Sequence, residues 1–187
     1  MSAMPVETPV GLPRGRALTR ADLAAMPDDG HRYELLDGVL VVSPAPRVGH
    51  QVAVVNLYTL LRDAAEAPLR VLVVPVDVTL ADDTVMQPDL VVAPRDAFTA
   101  TELPEAPLLA VEVLSPSTRG LDLLLKKDRL ERAGCAHYWV VDPEGPSITA
   151  WSLAESAYRQ VAHAHGSERF EISDPFALTV SPTDLLR

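Results

Sequence analysis

Cysteine is nearly absent from this 187-residue chain, which carries Cys135 alone. That excludes an internal disulfide and a zinc cage of thiolates, and leaves the thiol as a small hydrophobe near a helix end. Aromatics are scarce at 5%, so a core must be built mainly from Leu, Val and Ala, for which 48% apolar content is ample in one domain. Long hydrophobic runs are missing too. No stretch reaches the roughly 18 uninterrupted apolar residues of a membrane span, and Met1-Ser2-Ala3-Met4-Pro5 lacks the basic and apolar regions of a signal peptide, so a cytoplasmic protein without membrane contact is expected. Positive charge is the last shortage: 16 Lys and Arg against 26 Asp and Glu give a formal net charge of -10. Such a chain does not grip a polyanion by bulk electrostatics, which counts against any DNA-acting reading.

What is present is a pair of charged residues in apolar surroundings. Gln87-Pro88-Asp89-Leu90-Val91-Val92 and Leu109-Ala110-Val111-Glu112-Val113-Leu114 each read as a buried strand holding one carboxylate. An unpaired buried charge costs several kcal/mol, so both require compensation. Residues 119–132 supply a locally basic stretch beside them, with Arg119, Lys126, Lys127, Arg129 and Arg132 against Asp122, Asp128 and Glu131. The plain reading of that stretch is a solvated helix face with i,i+4 pairs such as Asp122 with Lys126.

Residues 1–16, with Pro5, Pro9 and Pro13, are expected as a flexible arm, and 17–187 as a single domain. Thr19 suits the N-cap of a short helix through Ala25. Asp37-Gly38 between Tyr33–Leu36 and Val39–Val42 predicts a hairpin with a type I′ turn. Apolar spacing from Val48 to Glu66 predicts an amphipathic helix. Strands are expected at Val71–Leu80, Val85–Val92, Leu108–Leu114 and His137–Val141, with a helix over 121–133 stopped by Gly134. Ile148–Leu153 and Tyr158–Ala162 form a further hairpin, and the tail from Phe170 reads as irregular with short strands. The order predicts an α/β (α+β) fold, a mixed central sheet flanked by helices.

Alternation in a strand places Asp89 on a face with Gln87 and Val91, and Glu112 on a face with Ala110 and Leu114. Neighbouring strands aim both carboxylates at one point, where they would hold Mg²⁺, with Mn²⁺ as substitute, for phosphodiester hydrolysis. Lys126 is the lysine placed to orient the attacking water or stabilise transition-state charge. Against this stand plainer roles: a strand-start aspartate after Pro88, and a glutamate on an exposed antiparallel face. Their joint occurrence favours the site. His163 and His165 lack a third metal ligand and read as an exposed strand, Trp139 and Trp151 as core or interface aromatics. There is no glycine-rich phosphate loop or dinucleotide fingerprint, hence no nucleotide cofactor.

The segments Tyr33-Glu34-Leu35-Leu36-Asp37-Gly38, Ser43-Pro44-Ala45-Pro46 with His50-Gln51, Gln87-Pro88-Asp89, Val111-Glu112-Val113-Leu114-Ser115-Pro116-Ser117-Thr118 and His137-Tyr138-Trp139-Val140-Val141-Asp142-Pro143 resemble the Uma2 family. That family, long catalogued as a domain of unknown function and described as restriction endonucleases, is placed in the PD-(D/E)XK nuclease superfamily. The resemblance covers roughly residues 18–180. It implies a restriction-endonuclease-like core with added N-terminal and C-terminal hairpins, an endonuclease acting on DNA, and catalytic Asp89, Glu112, Lys126 and Glu34, the first two as metal ligands. Leu114 stands where the superfamily's usual lysine would be, and Lys126 matches a migrated lysine, with Asp122 one turn earlier. Leu130 occupies a place where relatives often carry tyrosine, and reads as packing. Gln87, His50 and Asp122 are auxiliary candidates. A homodimer is expected for cutting two strands. The competing expectation is a nuclease fold without activity, kept as a nucleic-acid-binding or oligomerisation module.

Overall fold

The computed structural model describes residues 13, 15–116 and 119–187. Most of the expected arm, and Ser117 and Thr118, lie outside the described residues. In chain order the strands are β1 (Arg32–Leu36), β2 (Val39–Ser43), β3 (Leu69–Val73), β4 (Asp77–Ala81), β5 (Thr84–Met86), β6 (Leu90–Pro94), β7 (Glu102–Leu103), β8 (Leu109–Val113), β9 (His137–Asp142), β10 (Ser147–Ala154), β11 (Ala157–His165), β12 (Phe170–Ile172) and β13 (Leu178–Val180). The helices are α1 (Arg20–Leu23), α2 (Val48–Ala64) and α3 (Lys127–Arg132), the last continuing directly from a π-turn over Leu121–Lys126.

Six strands form a mixed sheet in the order β11-β10-β9-β8-β6-β3, with β8 and β9 parallel and the other neighbours antiparallel. A second sheet of five strands runs β2-β1-β5-β4-β7, and β12 with β13 makes a short hairpin. The mixed α+β architecture agrees with the expectation from sequence. Its division into two larger sheets does not. The expected strand Val71–Leu80 is broken into β3 and β4, and Val85–Val92 into β5 and β6, with each half in a different sheet. Pro75 and Pro88 stand at the breaks. A proline has no N–H for a ladder bond, so both strands lose pairing at the same level and the chain passes from one sheet to the other. Asp89 therefore lies just before β6, at the crossing, rather than inside a strand as expected.

The N-terminal hairpin is also more than an addition, because Leu35 of β1 pairs with Val85 of β5 and ties it into the smaller sheet. Its turn takes the two positive φ angles that the sequence predicts, 50° at Asp37 and 73° at Gly38. Glycine is required at the second for another reason: a Cβ there would lie 2.5 Å from that of Ala17.

Helix α2 packs Ala53, Val54, Leu57 and Leu61 on one face of the large sheet, against Leu90, Val92, Leu109, Val111 and Trp139. The other face is covered by α3 and the smaller sheet, where Leu36, Met86, Leu130, Cys135 and Tyr138 surround Ala110 and Leu114. Strand β8 is buried on both faces, which explains its nearly unbroken apolar run. The exposed-face alternative for Glu112 is thereby excluded: it is buried on the face shared with Ala110 and Leu114.

Candidate active site

The two sheets part around β1, the β5–β6 link and β8, and a group of charged side chains fills the gap. Lys126 is its centre. With 0% of the residue exposed, its Nζ lies 2.9 Å from Glu34 Oε1, 3.0 Å from Glu112 Oε1 and 3.5 Å from Asp122 Oδ1. Leu124 and Leu125 just before it are 70% and 49% exposed, the reverse of ordinary amphipathic order. The π-turn explains the inversion, since an extra residue per turn breaks the 3.6-residue periodicity and re-aims the side chain that follows. Burial disfavours the Lys126 ammonium, yet Glu112, Glu34 and Asp122 outweigh it and hold the pKa above the usual lysine value. The solvated-face reading of this helix is overturned at Asp122 and Lys126. Lys127, too, is partly buried, its ammonium 4.1 Å from the centre of the Trp151 ring.

Asp89 is held from three directions. Its Oδ1 accepts from Arg32 at 3.1 Å, and its Oδ2 accepts from the Val113 amide at 2.8 Å and from His50 Nε2 at 3.1 Å. Burial pushes this carboxyl up, but the His50 bond, Arg32 and the Val113 amide together keep it below the usual aspartate range. Glu112 behaves oppositely: burial, helped by Asp122, Asp89 and Glu34, raises it well above the carboxylate range in spite of Lys126. Arg32 also approaches Glu34, with Nε 3.7 Å from Oε2, an oxygen that has no hydrogen-bond partner among the described residues.

A cleft of about 410 Å³ leads from the surface to this group. Arg32, His50 and Asp89 line its inner end, while Pro44–Arg47, Pro75, Ser115 and Pro116 form part of its walls. Arg47 and His50 come from the start of α2, so the one end of the molecule's long helix that carries free amides faces the cleft.

The family model for Uma2, described as "Putative restriction endonuclease", matches residues 20–183. The chain belongs to the Uma2 family. Its fold is similar to that of a protein from Anabaena variabilis whose crystal structure is described as "a putative nuclease belonging to DUF820". The two share 17% sequence identity with a TM-score of 0.72, over 90% of this chain and 97% of the other. No protein of curated function matches the chain.

In this Uma2 chain the residues singled out in the sequence fall in one neighbourhood. Glu34, Glu112 and Asp122 gather on Lys126, and Asp89 is joined to the strand of Glu112 through the next residue's amide. His50 reaches Asp89 directly. Gln87 takes part through its backbone, whose N–H donates to Glu34 Oε1 at 2.7 Å, whereas its side chain turns away to Asp77. Arg32 is the member that sequence reasoning missed. Its signal was the alternation of β1, which places Arg32 and Glu34 on one face.

Among the described residues, no three His, Cys, Asp or Glu side chains are grouped so as to hold a metal ion, because the two cations stand between the carboxylates. The donor chemistry nevertheless suits a hard divalent cation. Glu34, Asp89, Glu112 and Asp122 supply carboxylate oxygens around Arg32 and Lys126, and Glu34 Oε2 is buried without a hydrogen bond among the described residues. Carboxylate oxygens are the ligands that Mg²⁺ or Mn²⁺ takes.

Proposed function

We propose that the chain is an endonuclease that hydrolyses phosphodiester bonds of DNA with the help of Mg²⁺, for which Mn²⁺ substitutes. The observation that carries this reading is the buried Lys126 ammonium gathered with Glu34, Glu112 and Asp122, next to an Asp89 that lines an open cleft. Membership in a family described as "Putative restriction endonuclease" supports it. Asp89 and Glu112 would hold the cation, with Glu34 completing the oxygen set. When bound, it supplies polarisation of the phosphoryl oxygen and a more acidic water.

The chain's own groups divide the remaining work. Lys126 stays an ammonium and is sealed from the cleft, so it acts through the two glutamates it fixes. His50, anchored on Asp89, sets that carboxylate's orientation from the cleft wall. Arg32 and Arg47 are the cationic side chains that line the cleft, each paired with a carboxylate, Arg32 with Asp89 and Arg47 with Glu144, and in a chain of net charge -10 they are the groups there that would meet a phosphate.

Cleavage of supercoiled and linear duplex DNA, with Mg²⁺ and with EDTA, tests the reading. Wild type should cut only with the metal, and Asp89→Ala and Glu112→Gln should each reduce the rate by at least about 100-fold, the size expected for loss of a charge-stabilising group. Cleavage of the same rate in Asp89→Ala would reject it. DNA binding without cleavage in any metal would favour the binding module instead.

A further inference from the structure

Both cations of the cluster neutralise carboxylates, but they differ in access. Lys126 is sealed, whereas the Arg32 side chain is 22% exposed and lines the inner end of the cleft. Arg32 touches two acidic groups, Asp89, which lines the cleft, and the buried Glu34. Its guanidinium contacts Asp89 Oδ1 at 3.1 Å and lies 3.7 Å from Glu34 Oε2, while the same nitrogen that meets Asp89 is 3.5 Å from the Gln87 carbonyl. Neither contact is a paired, two-bond fork. Glu34 Oε2 is left without a hydrogen bond even though a guanidinium offers five donors, so the fit is loose by the standard of a structural arginine.

We propose that Arg32 is a resident counter-ion that a divalent cation displaces: the guanidinium holds Asp89 and Glu34 in the metal-free protein and gives up its place when the metal enters from the cleft. This rests on the metal reading above. The charge logic requires an exchange, because a guanidinium and a divalent ion side by side at Asp89 and Glu34 repel each other at low effective dielectric. Arginine suits the role, being permanently charged and able to reach a carboxylate through any of five donors. Arg32 thus weakens metal affinity while offsetting the buried charge of Asp89 and Glu34.

The test is Mn²⁺ binding to the whole protein by calorimetry and by electron paramagnetic resonance, for wild type, Arg32→Met and Arg32→Lys, with thermal melts to confirm folding. The exchange predicts binding tightened about tenfold or more in Arg32→Met, and affinity near wild type in Arg32→Lys, which keeps the competing charge. Equal or weaker binding in a folded Arg32→Met overturns the exchange and leaves the metal reading standing. Mn²⁺ binding by neither wild type nor Arg32→Met overturns both. Should Arg32→Met not fold, Arg32→Gln takes its place with the same expected gain.

Discussion

Strand β8 has two faces, and they are held together by opposite means. Toward α2 it presents Leu109, Val111 and Val113, packed against other apolar groups. Toward the smaller sheet and α3 it presents Ala110, packed among Leu36, Met86 and Tyr138, and Glu112, held by the Lys126 ammonium within a group of charges. The first face gains from each area of apolar surface removed from water, at about 25 cal/mol per Å², and tolerates small errors. The second gains little from burial and fails as a unit, because removing one charge leaves its partner desolvated. A protein with two apolar faces would be more stable here. The charged face is the more easily broken of the two, and that difference is open to experiment.

Lys126→Met should break the comparison most severely. It strands Glu34 and Glu112, so a loss of about 3–5 kcal/mol is expected in urea unfolding, together with loss of nuclease activity. Adding Glu112→Gln to it should recover part of that stability but none of the activity. A double mutant no more stable than Lys126→Met would mean that Glu112 is not the stranded partner. Val111→Ala, one residue away on the opposite face, should cost about 2 kcal/mol through lost burial and a small cavity, with activity per folded molecule unchanged. Lost activity in that variant would show that the two faces are not independent.

The smallest effect is expected at His137, at the start of β9, hydrogen-bonded to Ser152. Burial lowers its pKa below the ordinary histidine value of 6.5, against a smaller upward pull from Asp174. The unfolded chain therefore binds a proton more readily. Stability should be intact above pH 6.5 and decline as pH falls through that value toward the lower folded one, and His137→Gln should flatten the decline. Unfolding curves that coincide for wild type and variant between those pH values would contradict it.

Much of the fold was legible because its signals are local. Asp37-Gly38 announces its own turn, and the spacing of Ala53, Val54, Leu57 and Leu61 matches the face that α2 buries. The acidic candidates were legible for a related reason, since a carboxylate in an apolar run is conspicuous without knowledge of its partners. What escaped depends on partners distant in the chain. A run such as Val71–Leu80 does not state that its halves pair in different sheets, although Pro75 and Pro88 marked the places where pairing had to stop. Arg32 escaped because an arginine beside a hairpin is unremarkable until Asp89, 57 residues later, is brought against it. The inward aim of Lys126 was expected, but the winding that produces it was not, because a run of leucines at 121, 123, 124 and 125 fits an ordinary helix as well as a turn with a residue to spare.

That wider turn makes the lysine's direction a matter of backbone pitch more than of side-chain choice. Shortening the stretch Leu121–Leu125 by one residue would let the helix rewind to about 3.6 residues per turn while α3 kept its seat on the sheet. With Lys126 joined directly to α3, a residue lost between Asp122 and Lys126 would shift that carboxylate around the helix relative to the ammonium, with every ionisable group still present.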